Sequence, residues 1–335
     1  MPHPTQGPDI PAAVRTDDRR FDNLPDFPFP PHYVDVTNPY DEEPLRLHYI
    51  DEGPKDAPVV LMVHGEPAWS FLYRKLIPVF AEAGLRAIAV DQIGFGRSDK
   101  PTRPSHYSFE NHIEWVRQAV VALDLQDITL VCQDWGGPVG MGVFAREQQR
   151  FSRICAGNTM LHTAEAELAG RIEWAAHAEG DLDARVSTFL LDWRQASTRD
   201  PNFEASPSIP FATARGVSDA VAMAYDAPFP SEWHKAGMRQ YPVLIPVTPT
   251  DEGAAINRAT WDALRSFDRP FLTLFGDSDP PTRGWDEIFR ERIPGANGQP
   301  HQTLERAGHF WQEDCGAEAA AIIVNWIRAT SSALD

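Results

Sequence analysis

From about residue 32 the chain alternates short apolar runs with longer segments whose apolar residues recur three and four positions apart. That alternation constrains the fold more than any other feature. Parallel strands need a crossover of helical length between them, and the crossovers bury the strands between two helical layers. Strands are expected near 32–36, 45–49, 59–63, 86–90, 128–132, 154–156, 271–275 and 303–304, and helices near 71–82, 109–123, 138–147, 283–292 and 317–328. The fold class is therefore α/β, with a mostly parallel, eight-stranded sheet flanked by helices. The alternation stops after Asn158 and resumes near Phe271; the stretch between holds Trp174, Trp193, Trp233 and several phenylalanines but no convincing parallel strand. It reads as an inserted helical lid. Ligands of open α/β sheets sit beyond the carboxyl ends of the strands, where such a lid would cover them. The expected layout is an N-terminal segment over 1–31, a core over 32–158 and 246–335, and a helical cap over 159–245.

Charge narrows the partners. With 48 acids against 30 bases, a net charge of -18, the chain lacks the basic surface that neutralises phosphates, so neither nucleic acid nor an anionic membrane is an expected partner. A small neutral substrate fits better. Cys132, Cys155 and Cys315 form an odd set without CxxC spacing, which suggests neither a disulfide framework nor a zinc site. The first residues carry no basic start followed by an apolar run, and no stretch approaches a membrane span. A cytoplasmic protein, monomeric by default, is the expectation.

The most informative stretch is 128–137, Ile-Thr-Leu-Val-Cys-Gln-Asp-Trp-Gly-Gly, an apolar strand that runs into an acid, then small residues, then a helix. In a nucleophile elbow the central residue sits on a tight strand-to-helix turn, and its neighbours two positions away must be small. Cys132 and Gly136 meet that requirement around Asp134. The following helix directs backbone N–H groups at the turn and favours an anion there. The bland alternative makes Asp134 only a helix cap. Against it, Trp135 is an odd residue for a tight exposed turn unless its indole N–H is needed as a donor. A carboxylate nucleophile must displace a leaving group to form an ester that water then hydrolyses.

Such an elbow is followed in chain order by an acid and then a histidine. The strand near 271–275 ends in Gly276-Asp277-Ser278-Asp279, and Ala307-Gly308-His309-Phe310 follows the last expected strand. His309 is the candidate base, activating water for attack on the ester while an acid holds its tautomer. Its position singles it out from the ten other histidines, among them His64, His106 and His301. Asp279 is chosen over Asp277 because the third position after the glycine lies past the strand end; otherwise both are turn residues. Upstream, the strand 59–63 leads into His64-Gly65-Glu66-Pro67, where a backbone N–H is needed for the oxyanion. Glu66 supplies that amide, with Trp135 as the second, unless His64-Gly65 is an ordinary turn. The glycines of 91–99 lack a nucleotide-loop pattern and read as a structural turn. Trp115, Trp261, Trp285, Trp311 and Trp326 are assigned to packing.

Taken together, His64-Gly65-Glu66-Pro67, the run Gly-Phe-Gly-Arg-Ser-Asp-Lys-Pro at 94–101, Val-Cys-Gln-Asp-Trp-Gly-Gly at 131–137, Ala-Tyr-Asp-Ala-Pro-Phe-Pro at 224–230 and Ala-Gly-His-Phe at 307–310 resemble the haloalkane dehalogenases of the α/β-hydrolase fold. The resemblance spans nearly the whole chain; Val14-Arg15-Thr16, the run 21–25 and His32-Tyr33-Val34 look like the family's N-terminus. It implies SN2 attack by Asp134 on a halogen-bearing carbon of a small halogenated hydrocarbon, then ester hydrolysis by water that His309 activates. Alcohol, halide and a proton result; no cofactor or metal is implied, only water as co-substrate and halide as product ligand. It also implies two N–H donors for the halide, of which Trp135 is one by its place after the nucleophile. In the subfamily whose second donor is a lid tryptophan, a glutamate stands where Glu66 does; the sister group carries asparagine there. The segment 189–194, Phe-Leu-Leu-Asp-Trp-Arg, looks like the one that supplies this donor, making Trp193 the choice and Trp174 the second. The same subfamily takes its acid after the later strand, in agreement with Asp279, whereas Asn158 stands where the sister group carries an acid.

Two rival readings are an epoxide hydrolase, which shares the carboxylate nucleophile and histidine but opens the ring with two lid tyrosines, and a catalytically silent ligand receptor. Tyr225 is the only tyrosine between Asn158 and Phe229, and a receptor has little need of nucleophile, acid and histidine together.

Overall fold

A computed structural model describes residues 11–39, 43–164 and 192–331. Ten strands occur among them: β1 (Ala13–Val14), β2 (His32–Thr37), β3 (Pro44–Glu52), β4 (Val59–Val63), β5 (Arg86–Val90), β6 (Lys100–Pro101), β7 (Ile128–Asp134), β8 (Phe151–Thr159), β9 (Phe271–Gly276) and β10 (Gln302–Leu304). Eight form the main sheet in the order β10-β9-β8-β7-β4-β5-β3-β2, and β1 pairs with β6 as a separate antiparallel ribbon. Pairings from β10 through β5 are parallel, while β3 runs antiparallel to both β5 and β2. The sheet is thus mostly parallel and eight-stranded, as the alternation requires. Its central strands β4 and β7 are buried along their whole length, which is why they read as unbroken apolar runs.

Helices cover the sheet, and their limits differ from the periodicity in instructive ways. The expected helix over 71–82 divides into a 3-10 turn, Ser70–Tyr73, and α1, Ile77–Glu82, whose first turn holds Pro78, a residue without the N–H that a helix interior needs. α2 (Phe109–Ala122) starts at Ser108, whose side chain accepts from the Asn111 N–H, and α3 (Gly136–Arg146) follows the elbow. The helix Glu252–Leu264 has no counterpart among the expected elements. Its buried positions include Gly253, Ala254, Asn257 and Thr260, too small or polar to register as an apolar stripe. It packs on α3 and α2 and so belongs to the core layer. β8 extends three residues either side of its expected span, to Phe151 and Thr159.

Thr159, the first residue of the expected cap, ends β8 instead; among the other described cap residues, 192–199, Asp219–Ala224 and Ala236–Gln240 are helical and none is in a strand. Trp174 lies outside the described residues. The N-terminal segment straps cap to core. The Thr16 hydroxyl donates to the Pro228 carbonyl (2.6 Å), Arg20 Nε to that of Ala227 (2.7 Å), and Arg15 bonds both carboxylate oxygens of Asp99 (2.6 and 2.9 Å). Cys132, Cys155 and Cys315 are free and buried. Trp115, Trp261, Trp311 and Trp326 are core residues, with Trp285 half-buried.

Candidate active site

Asp134 ends β7 with φ +51, a left-handed conformation that costs an aspartate on the order of 1–3 kcal/mol and persists only where surroundings enforce it. Two glycines do so here. A Cβ on Gly136 would sit 1.8 Å from the Val63 carbonyl oxygen, and one on Gly65 would sit 2.1 Å from Asp134 Oδ1. Their absence lets β4, the loop after it and α3 close around the carboxylate. The Glu66 backbone N–H donates to Asp134 Oδ1 at 2.8 Å, and the Thr159 hydroxyl to the Asp134 carbonyl at 2.6 Å. Of the two expected oxyanion amides, that of Glu66 thus already touches the carboxylate.

His309 lies between two carboxylates. Its Nε2 is 3.4 Å from Asp134 Oδ2 and its Nδ1 is 3.0 Å from Asp279 Oδ1. Asp279 is buried and its second oxygen accepts from the Thr282 hydroxyl. Asp277 instead accepts from the backbone N–H groups of Arg306 and Ala307 (3.0 and 3.3 Å), the work of a turn residue. Burial opposes charge on His309, but Asp279 and Asp134 outweigh it and push the imidazole up to about 10.

Two side chains that sequence reasoning did not assign to this site hold the histidine loop. Asn158 Nδ2 donates to the carbonyls of Gly308 (2.7 Å) and His309 (3.2 Å) while its Oδ1 accepts from Gly276 N–H, tying β8 to the loops that bear both base and acid. Gln133 Nε2 donates to the His309 carbonyl (3.1 Å) and lies 3.0 Å from His309 Nε2. That second contact becomes a hydrogen bond once the ring is neutral with its proton on Nδ1, facing Asp279, the form a base must take.

Beside the triad lies a cavity of about 350 Å³ with mostly apolar walls, including Met160, Phe211, Pro280 and Phe310, and with Glu66, Asp134, Trp193 and His309 among its polar members. The Trp193 indole N–H donates to Glu66 Oε2 at 2.8 Å. Glu66 is buried, its Oε1 has no partner among the described residues, and burial together with the Asp134 charge holds its carboxyl well above the usual carboxylate range. Trp135 borders a different, much smaller void of about 20 Å³ that also reaches Asp134. Its ring stacks on Tyr241 (4.8 Å, 28°) and meets Phe109 edge-on, and its indole N–H has no protein partner among the described residues. The two tryptophans are therefore both near the nucleophile but line separate spaces.

Residues 58–314 match the family described as the alpha/beta hydrolase fold. The chain is 46% identical over 314 residues to a haloalkane dehalogenase of Psychrobacter cryohalolentis, covering 94% of this chain and 97% of the relative. It is 44% identical to one of Mycobacterium marinum, covering 94% and 99%. The solved haloalkane dehalogenase DpaA of Paraglaciecola agarilytica, described as tetrameric, superposes with a TM-score of 0.77 at 34% identity, covering 92% of this chain and 97% of that one. The chain belongs to the haloalkane dehalogenases. It is a hydrolase that acts on carbon–halogen bonds, converting halogenated substrates hydrolytically.

For a dehalogenase the hydroxyls of the cap tyrosines matter, because they are what an epoxide-opening site would need. Tyr225 O–H donates to Glu313 Oε1 (2.6 Å) and Tyr241 O–H to Gln92 Oε1; both are buried and neither lines the main cavity. Among the described residues no group of three or more His, Cys, Asp or Glu side chains is arranged to hold a metal ion, and no helix is long and apolar enough to cross a membrane.

Proposed function

We propose that Asp134 is the nucleophile, His309 the base and Asp279 its orienting acid in a two-step dehalogenation. Asp134 attacks the halogen-bearing carbon of a small haloalkane, the carbon–halogen bond breaks as the alkyl ester forms, and halide leaves. Water then adds to the ester carbonyl as His309 takes its proton, and collapse returns the Asp134 carboxylate with release of alcohol. The observation that carries this reading is the His309 ring set between Asp279 at 3.0 Å and Asp134 at 3.4 Å, with the Glu66 amide already on Asp134.

The electrostatics support a division of labour between the steps. Facing two carboxylates, His309 is protonated in the resting enzyme at neutral pH. Alkylation turns Asp134 into a neutral ester, removes one of the charges that hold the proton, and lets the ring pass to the neutral form that accepts from water. The oxyanion of that step is served by the backbone N–H groups of Glu66 and Trp135. Trp135 and Trp193 are the halide donors of this reading; Trp193 would give up Glu66 to reach the ion. The enzyme works without a cofactor, in the cytoplasm, as a monomer, with the cap reaching the cavity through Trp193, Ser208, Phe211 and Ala212. The test is bromide release from 1-bromobutane and 1,2-dibromoethane with matching alcohol, alongside styrene oxide. The account expects halide and alcohol from wild type and none from freshly prepared Asp134→Asn. Undiminished activity in that variant removes Asp134 from its role, and diol as the only product transfers the mechanism to epoxide opening.

A further inference from the structure

Behind the Glu66 amide runs a chain of buried polar groups that ends on the cap side of the fold. His64, Gln92 and Tyr241 are each at most 1% exposed. The His64 carbonyl can only accept, so Gln92 turns its Nε2 toward it at 2.6 Å and leaves Oε1 for the Tyr241 hydroxyl, which donates. The Gln92 backbone N–H occupies His64 Nε2 at 3.1 Å. The ring proton is therefore on Nδ1, which donates to the Gly65 carbonyl at 2.7 Å. That carbonyl belongs to the same peptide unit as the Glu66 N–H, which sits on Asp134 Oδ1 at 2.8 Å. A peptide unit is planar, so a bond on its oxygen fixes the direction of its N–H, and the polarisation makes that N–H a better donor. The far end of the chain is fixed as well, with the Tyr241 ring stacked on His112 (4.0 Å, 17°) and on Trp135 (4.8 Å, 28°).

We propose that Tyr241 is a positioning residue for ester hydrolysis, acting through Gln92 and His64 on the Gly65–Glu66 peptide, a role that rests on the reading of Asp134 as nucleophile and of the Glu66 amide as oxyanion donor. The two chemical steps ask different things of that amide. Alkylation removes charge from the carboxylate, so a donor on Oδ1 gives this step nothing. With the alkyl group on Oδ2, water addition gathers negative charge on Oδ1, and the same donor then stabilises the transition state. Loosening the chain slows hydrolysis and spares alkylation.

Rapid-quench mass spectrometry of a single turnover of 1-bromobutane on the whole chain reads both steps, as appearance and decay of the butyl adduct. The variants are Tyr241→Phe, which keeps the stacked ring and loses the hydroxyl, Gln92→Met, and the two combined, with urea midpoints as the folding control. The adduct is expected to appear within about twofold of the wild-type rate in each and to decay about tenfold more slowly, short of the ~10²–10³ that follows outright loss of an oxyanion donor. Because both residues act along one chain, the double variant is expected to decay no more slowly than Gln92→Met. Unchanged decay in Tyr241→Phe overturns the proposal. Equal slowing of both steps also overturns it, as the mark of a general packing defect, and so does additive slowing in the double variant. Should Gln92→Met not fold, the ratio of the two rates in Tyr241→Phe decides alone. If no adduct forms on any of these proteins or on His309→Phe, the reading of Asp134 itself fails and takes the relay with it.

Discussion

Glu66 and Glu313 are both buried glutamates, yet their surroundings have opposite consequences. Glu313 Oε1 accepts from Arg74 Nη1 (2.5 Å) and Tyr225 O–H (2.6 Å), and Oε2 from Arg74 Nη2 (2.8 Å), with Lys75 at 3.2 Å. Burial would raise this carboxyl, but the Arg74 hydrogen bonds and charge outweigh it and hold it below the usual range. Glu66 has no Arg or Lys ion pair among the described residues, one oxygen on Trp193 and the other without a partner there, and the Asp134 charge as a neighbour, which with burial outweighs the more distant His309. One glutamate is saturated and locks the C-terminal helix Trp311–Ser331 to the turn before α1 and to the cap through Tyr225. The other, held well above the usual carboxylate range, lies on the wall of a reaction cavity. A buried carboxyl with all its bonds satisfied stabilises a fold; one left incomplete beside a nucleophile marks where the molecule has given up stability for chemistry.

The largest expected effect tests the saturated side. Glu313→Ala leaves Arg74 buried and unpaired, and is expected to cost about 3–5 kcal/mol of stability, read as a lower urea midpoint. A loss below roughly 1 kcal/mol would put this pair among the exposed kind that contributes little. The next sharpens the contrast by sign. Glu66 has a raised folded pKa, so its contribution is present below the unfolded value and is lost as pH rises through it. Glu313 has a lowered one, so its contribution is present above the unfolded value and is lost as pH falls through the folded one. Relative to wild type, Glu66→Gln is therefore expected to gain stability on raising the pH from about 5 to 8, and Glu313→Gln to lose it on raising the pH from about 3 to 5. Parallel urea series on the two variants read this, and changes of the same sign would collapse the distinction. The smallest effect is that of Trp193→Phe, which removes one hydrogen bond from Glu66, about 1 kcal/mol. It is expected to weaken halide binding only several-fold; an unchanged affinity would take Trp193 out of the cradle.

The line of reacting groups was legible because each member stands at the end of an apolar strand. Asp134 follows 128–133, Asp279 lies three residues past Gly276, and His309 follows β10. Strand ends announce themselves through small residues and a switch of period, so a local pattern suffices. The two-strand ribbon β1–β6 escaped notice because each partner has only two residues and lies within a segment that reads as loop. Arg74–Glu313 joins residues 239 positions apart, and the partnerships of Asn158 and Gln133 with His309 span 151 and 176. No spacing rule carries such pairs; they exist only once the sheet order is set. The same holds for Tyr241. As sequence it is one aromatic in a proline-rich stretch, while in the fold it stacks on Trp135 and on His112 (4.0 Å, 17°) with its hydroxyl on Gln92.

Mass spectrometry of His309→Phe after exposure to 1-bromobutane tests the central claim most directly. With the base removed and the nucleophile intact, the account predicts a stable gain of one butyl group, mapped by proteolysis to the peptide containing Asp134, together with about one equivalent of bromide. Steady turnover by His309→Phe without an adduct, or an adduct that persists in the double variant with Asp134→Asn, would contradict it.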